Sequence, residues 1–203
     1  MKKKIRLPNK IVIASFNKGK LVEIKQLFKN TKVNFIAVST FTNIAPDENG
    51  KTFTENALIK ARSANKLSGL ASIADDSGLC INALNGAPGI FSSRWAGTKG
   101  NFDIAIKKVF KELNKKNKNW KNKRVKARFV CALSICWPGG KNISRIGKIE
   151  GFISYKKIGK NGFGYDPIFI PKGSKITFAQ MSSREKFKID HRSKAFQKIK
   201  KFF

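Results

Sequence analysis

The sequence predicts an α/β fold on three observations. Short apolar runs of strand character alternate with segments whose apolar residues recur at helical spacing. Two of the helical segments open on a Ser/Thr-x-x-Glu pattern, Thr52 to Glu55 and Ser182 to Glu185, which is the spacing of a capping box. One long stretch, Val125 to Trp137, alternates at period two and meets a Pro-Gly-Gly turn. At 203 residues the chain can bury a substantial core, and no repeat or linker divides it, so a single domain over 1–203 is expected.

Ile11-Val12-Ile13-Ala14 reads as a buried strand; after the polar turn Ser15 to Lys20, the residues Leu21, Ile24, Leu27 and Phe28 mark one helix face. Val33 to Val38 suggests a second strand. Thr52 is placed to cap a helix that starts near Phe53 and carries Ala57, Leu58, Ala61, Ala64 and Leu67. Ala71 to Ala74 is a brief strand expected to end directly in Asp75-Asp76-Ser77-Gly78, at the kind of strand terminus where α/β sheets build sites. Phe102 to Leu113 has helical spacing, whereas Asn114 to Lys123, rich in lysine and asparagine with one tryptophan, reads as a solvated loop. Val125 to Trp137 turns at Pro138-Gly139-Gly140 into Ile143 to Phe152, a long antiparallel hairpin. Beyond the glycine-rich loop Gly159 to Gly164 come a short strand, Ile168 to Ile170, a helix capped by Ser182, and a last helix capped by Asp190 and running to Phe203.

The chain carries 43 Lys and Arg against 12 Asp and Glu, a formal charge of +31. That balance admits a basic nucleic-acid-binding protein, with Lys115 to Arg128 around Trp120 as its best carrier. The lysines are nevertheless spread from Lys2 to Lys201, as a general lysine bias would leave them, and no recognised nucleic-acid motif accompanies them, so no specific nucleic-acid partner is expected. A positive field also gathers small polyanions. Cys80, Cys131 and Cys136 lack CxxC spacing and sit among apolar residues, which fits a reduced, cytoplasmic setting. Met1-Lys2-Lys3-Lys4 is followed by Arg6, Pro8, Asn9 and Lys10 rather than by the apolar run of a secretion signal, and no later stretch approaches a membrane span; no membrane partner is expected. With His191 as its one histidine, the chain offers no His-rich zinc site and no Ser-His-Asp pattern.

Four separated segments carry chemistry. Ser15-Phe16-Asn17-Lys18-Gly19-Lys20, between strand and helix, could receive phosphate on backbone N–H groups and a lysine; it lacks the GxxxxGK[ST] pattern and reads equally as a plain βα turn. Asp47-Glu48-Asn49-Gly50, with Glu55, Asn56 and Lys60 downstream, is explained by a turn and a capped surface helix. Asp75-Asp76 is harder to explain structurally, because two carboxylates following an apolar strand are costly to desolvate unless a metal or a lysine compensates them. Oxygen ligands of this kind suit Mg²⁺, which shares its shell with waters and phosphates. In Gly162-Phe163-Gly164-Tyr165-Asp166-Pro167 the glycines would let a planar ligand reach an aromatic face, and His191 and Arg192 offer donors to carbonyl oxygens. Taken singly, Phe163 is as well a core residue and His191 a cap.

In combination these segments resemble the inosine triphosphate pyrophosphatase family, also called dITP/XTP pyrophosphatases, over nearly the whole chain. The matching residues are Ser15-x-Asn17-x-x-Lys20, Thr52-Phe53-x-Glu55-Asn56-Ala57-x-x-Lys60-Ala61 and Ala74-Asp75-Asp76-Ser77-Gly78-Leu79. Gly86-Ala87-Pro88-Gly89-Ile90 follows with Ser93-Arg94, then Gly162 to Pro167, then Lys186 with His191-Arg192. The resemblance implies a mixed central sheet with flanking helices, two lobes around a nucleotide-binding cleft, and a homodimer. It implies hydrolysis of non-standard purine nucleoside triphosphates (dITP/ITP, XTP/dXTP) to the monophosphate and pyrophosphate, with Mg²⁺ as cofactor. By the same likeness Asn17, Lys20 and Lys60 are triphosphate ligands within a binding set that includes Ser15, Phe16, Lys18 and Gly19. Glu48 and Asp76 are the metal ligands, and Asp76 is also the catalytic base. Ser77, Phe163, Gly164, Tyr165, Asp166, Lys186, His191 and Arg192 align with nucleotide contacts, Phe163 stacking on the base and His191-Arg192 reading its keto edge. The sequence departs from the family at Phe16, where a glycine is usual, at Gln180, where an acid is common, and at Asp190, where a serine is usual. Phe16 raises the question of loop geometry, since only glycine takes positive φ freely.

Overall fold

The computed structural model describes residues 7–98 and 100–202, so the readings made on Met1 to Arg6 and on the terminal Phe203 lie outside the described residues. In chain order the elements are β1 (Lys10–Ile13), α1 (Lys18–Leu27), β2 (Asn34–Ala37), α2 (Phe53–Ser68), β3 (Ser72–Ile81) and α3 (Phe102–Lys116). They continue with β4 (Lys126–Cys136), β5 (Asn142–Ile153), β6 (Phe169–Pro171), α4 (Ser183–Ile189) and α5 (His191–Lys200). The strands form one sheet in the order β2-β1-β3-β4-β5-β6. β1 runs parallel to both neighbours, with Ile11 opposite Phe35 and Ile13 opposite Ile73, because α1 and α2 serve as the crossovers a parallel pair requires. β6 lies antiparallel to β5, with Phe152 opposite Ile170, so the sheet is mixed as expected.

Two compact units divide the described residues. The first draws on residues 7–76, 131–147 and 192–202. Its core joins Val12, Val38, Ala74 and Cys136 to Ala61 and Ala64 of α2, whose small side chains let the helix approach the strands closely. Phe28 is gripped edge-on by Phe35 and Phe196, with ring centroids 5.2 Å and 4.6 Å away. The second unit comprises Ser77–Val130 and Lys148–His191. Ile106, Val109 and Leu113, one stripe of α3, bury against a core that includes Phe129, Phe169 and Phe178. Burying each such side chain contributes about 1.5–3 kcal/mol.

Local signals placed the helix starts. Thr52 Oγ1 accepts from Glu55 N–H at 3.1 Å and caps α2, which ends on Gly69 in the left-handed conformation (φ +66°). Ser182 and Glu185 form the reciprocal capping box of α4. Asp190 stands in extended conformation (φ −69°, ψ 166°) immediately before His191 opens α5, the backbone geometry of a helix cap. The turn between β4 and β5 closes with Trp137 N–H donating to Lys141 O at 2.8 Å.

Two expectations differ from the structure, and one strand is buried more deeply than its alternation implies. β3 does not stop at Ala74 but runs through Asp75 and Asp76 to Ile81, since Leu79, Cys80 and Ile81 are themselves buried and the two carboxylates have cations within reach. Asn114 to Lys123 is exposed along most of its length, as a solvated segment should be, but it is not all loop: α3 continues to Lys116, and Trp120 is buried, its ring stacked 5.4 Å from that of Phe110. An indole removes so much apolar surface from water that it holds a lysine-rich segment down. β4 is buried on both faces from Phe129 to Cys136, and its polar Ser134 is accommodated by a 2.7 Å hydrogen bond to Ser144. Among the described residues no helix is long and apolar enough to cross a membrane.

Candidate functional site

In the first unit, four carboxylates and three cations converge. The turn after β1 delivers the first cation. Asn17 Oδ1 accepts from Lys20 N–H at 3.1 Å and caps α1, and Ser15 Oγ accepts from Asn17 N–H at 3.2 Å, so the turn is folded on its own side chains. α1 then directs Lys20 Nζ to Asp75 Oδ1 at 3.3 Å. Lys18 and Gly19 form the first residues of α1, where unpaired N–H groups favour anions. Phe16 has no positive φ, so the loop adopts this geometry without needing a glycine there, and its ring is 41% exposed.

Asp75 and Asp76 are consecutive in β3 and therefore point to opposite faces of the strand. Asp75 Oδ2 accepts from Arg192 Nε at 3.3 Å and Nη2 at 2.9 Å, and Arg192 Nη1 is also paired with Glu23 of α1. Burial draws the Arg192 guanidinium down to about 10, still well above neutrality. Asp76 Oδ1 lies 3.1 Å from Lys60 Nζ of α2, and the same ammonium lies 3.1 Å from Glu48 Oε1. Asn56, fully buried in α2, joins the two acidic segments: its Oδ1 accepts from Gly50 N–H at 2.8 Å and its Nδ2 donates to Asp76 Oδ2 at 3.4 Å.

Burial raises the Asp76 carboxyl above its ordinary range, Lys60 and Lys20 oppose that shift, and Glu48 adds to it. For Lys60, burial alone would lower the ammonium, yet Asp76, Glu48 and Asp75 together outweigh burial and hold it above its usual value. Asp76 is thus a carboxylate whose proton affinity lies nearer neutrality than an exposed aspartate's, which suits a base.

The second unit holds a separate constellation. Asp166, in a short 3₁₀ turn (Asp166–Ile168), accepts from Lys186 Nζ at 2.6 Å and from Phe163 N–H at 2.9 Å through one oxygen, Oδ2. A Cβ on Gly162 would run into that oxygen, so this glycine is required by close approach and by its φ of +72°. Lys186 Nζ stands 5.0 Å from the centroid of the half-buried Phe163 ring. Burial raises Asp166, against the pull of Lys186 and the Phe163 N–H. Tyr165 is buried, donates from its hydroxyl to Ser92 O at 3.0 Å, and meets Phe102 edge-on; burial pushes its phenol well up. The His191 ring stacks on Phe129 with centroids 4.8 Å apart and planes at 11°.

The structure therefore brings together Lys20, Glu48, Lys60, Asp75, Asp76 and Arg192 in one unit, and Phe163, Tyr165, Asp166 and Lys186 in the other. Gly164 (φ +70°) continues the turn after Phe163, and Ser77 follows Asp76 in β3. Arg192, expected at the keto edge of a base, here has its guanidinium engaged by Asp75 and Glu23. Gln180, where an acid was usual, accepts from Thr177 N–H at 3.0 Å and closes a 3₁₀ turn. Glu23 and Asn56 were not expected as site residues. Glu23 had a faint signal, an acid three positions beyond Lys20 in a chain with only 12 of them; Asn56 stood inside a motif whose capping role already explained it.

Glu48 and Asp76 are hard oxygen donors that already share one cation, the Lys60 ammonium. Among the described residues no cluster of three or more His, Cys, Asp or Glu could cage a metal. That donor set fits Mg²⁺, which is commonly held by one or two carboxylates plus waters and substrate phosphates, and does not fit a metal needing a full protein cage.

A family model described as the Ham1 family matches residues 11–202. A dITP/XTP pyrophosphatase of Zymomonas mobilis is 42% identical over 192 residues, covering 95% of this chain and 90% of the relative. One from Caulobacter vibrioides is 42% identical over 191 residues, 94% of this chain and 96% of its own length. Among solved structures, a HAM1 protein from Coxiella burnetii superposes with a TM-score of 0.84 at 39% identity, covering 96% of this chain and 98% of its own. The Ham1 protein of Staphylococcus aureus superposes with a TM-score of 0.81 at 38% identity, over 95% and 97%. With a family model spanning nearly every described residue and relatives alike from end to end, this chain belongs to the Ham1 family.

Proposed function

We propose that the protein hydrolyses non-standard purine nucleoside triphosphates, dITP/ITP and XTP/dXTP, to the monophosphate and pyrophosphate. The observation that carries this reading is the Lys20, Lys60, Glu48 and Asp76 cluster, which sets two lysine ammonium groups against a buried carboxylate of raised proton affinity. Full-length relatives named dITP/XTP pyrophosphatase support the substrate class.

In this reading Lys20 and Lys60 neutralise the phosphate chain, assisted by the N–H groups that open α1. Asp76 takes the proton of a water whose oxygen attacks the α-phosphorus; the bond to the bridging α–β oxygen breaks, and pyrophosphate leaves with that oxygen. Glu48 and Asp76 would hold Mg²⁺, which when bound offsets phosphate charge and polarises the phosphoryl oxygens. Phe163 offers its ring to the purine, with Lys186 fixed beside it by Asp166. Inosine and xanthosine carry an acceptor oxygen where adenine carries a donor amine, so donors from His191 favour the keto bases.

We further propose a homodimer working in the cytoplasm, consistent with three buried cysteines and with the apolar residues exposed on the first unit, such as Val22 and Leu67. Sedimentation at micromolar protein tests the dimer. The function is tested by pyrophosphate release from a panel of dITP, XTP, dATP and dGTP with Mg²⁺. Turnover of dITP and XTP well above the standard purines is expected; equal turnover of all four would overturn the assignment.

A further inference from the structure

Glu48 lies in the loop before α2 and Asp76 within β3, and the ion pairs between these segments run through one atom. Lys60 Nζ is 3.1 Å from Glu48 Oε1 and 3.1 Å from Asp76 Oδ1. The three side chains are largely withdrawn from water, at 11% exposure for Lys60, 31% for Glu48 and 7% for Asp76. A monovalent cation therefore already stands between the two carboxylates to which the functional reading gives the metal.

We propose that Lys60 is a built-in stand-in for that metal. It closes the Glu48–Asp76 pair while the protein is free, and it yields the pair when metal and triphosphate arrive together, its ammonium passing to the phosphate oxygens. The inference rests on the functional reading above and deepens it. Two positive groups a few ångströms apart in a site this withdrawn repel strongly, so ammonium and metal cannot share the carboxylates unless a polyanion joins them. The charge balance of the cluster points the same way: Glu23, Glu48, Asp75 and Asp76 face Lys20, Lys60 and Arg192, leaving one net negative charge in a chain of formal charge +31. With Lys60 in place the cluster is nearly neutral and offers a lone divalent ion little; with a triphosphate present, an added cation is fully balanced. Metal and nucleotide then raise each other's affinity by the same factor. The arrangement keeps the carboxylates from drifting apart in the empty protein, and it disfavours metal without substrate.

The test is Mn²⁺ binding without nucleotide, followed by electron paramagnetic resonance, on wild type, Lys60→Met, Lys60→Arg and the double variant Lys60→Met/Glu48→Gln. Removing the competing cation should tighten Mn²⁺ binding by at least about tenfold in Lys60→Met. Lys60→Arg, which keeps the charge, should stay at the wild-type level, and Glu48→Gln should abolish the gain. Equal affinity in wild type and Lys60→Met overturns the proposal, as does a gain that survives Glu48→Gln. If Lys60→Met melts below the assay temperature, Lys60→Gln, whose amide can still bridge the carboxylates, carries the same expectation. Pyrophosphate release from dITP by wild type, measured alongside, separates the two ideas. An inactive wild type would sink the functional reading, whereas an active one with unchanged Lys60→Met binding would sink only the stand-in.

Discussion

Arg192 donates to a single oxygen of Asp75, Oδ2, from both Nε at 3.3 Å and Nη2 at 2.9 Å, and neither side chain is more than 2% exposed. This fork ties the start of α5 to the strand that carries Asp76, and so makes the C-terminal helix part of the site's support. Arg192→Met would leave the buried charge of Asp75 short of its main counter-ion. We expect a loss of about 3–5 kcal/mol in denaturant unfolding, with much of it recovered in Arg192→Met/Asp75→Leu, where both charges go. A loss confined to nucleotide discrimination, with stability intact, would show that the fork contributes nothing to the fold.

Asp76→Asn keeps size and keeps an acceptor oxygen for Lys60, while Lys60 retains Glu48. The fold should survive with a melting temperature close to wild type. Turnover should drop by at least about a hundredfold, the low end of general-base catalysis. The pH profile adds a second readout. A base must be unprotonated, and burial raises Asp76 above the ordinary 3.8, so the acid limb of kcat/KM in wild type should lie above that value and should disappear in Asp76→Asn. A limb that persists unchanged in the variant would move the catalytic carboxylate elsewhere.

Lys186 and Asp166 form a pair with side-chain exposures of 7% and 3%. Lys186→Met would strand the carboxylate with the Phe163 N–H, at a cost of about 3–5 kcal/mol at neutral pH. Burial already raises Asp166, and losing the ammonium raises it further. A carboxyl whose folded value exceeds its unfolded one binds protons more readily in the folded state, so its penalty grows as pH rises from the unfolded value to the folded one. The deficit of Lys186→Met relative to wild type should therefore shrink as pH falls through the folded value of Asp166. A deficit independent of pH would mean that packing, not charge, is what Lys186 contributes.

His191 stacks on Phe129 and is 3% exposed, so its removal touches both recognition and core. His191→Ala should lower the ratio of kcat/KM for inosine over adenosine triphosphate by about tenfold or more, and should lower the melting temperature by a few degrees as well. An unchanged ratio would remove His191 from base recognition and leave it as a packing residue.

Elements whose signals are local were legible in advance. Thr52 and Ser182 start their helices because a hydroxyl and a glutamate three residues on satisfy N–H groups within one turn, a contact the sequence states outright. β1 and α1, and the turn joining β4 to β5, could be read from apolar spacing and turn residues for the same reason. The acidic pair Asp75-Asp76 announced itself by its cost, since buried charge demands compensation wherever it stands. What compensates it was not legible. The partners of Asp75 are Lys20, far upstream, and Arg192, 117 residues downstream, and the partner that Asp76 shares with Glu48 comes from α2. The same limit explains β3 and Trp120. A strand passing through two carboxylates, and a tryptophan buried out of an exposed lysine-rich segment, are each set by groups brought close only when the chain has folded. Sequence by itself determined the helix starts, the strand candidates and the set of reactive side chains, because these depend on neighbours along the chain. Tertiary structure alone decided which cation neutralises which carboxylate, because electrostatic compensation depends on distance in space and on exclusion of water.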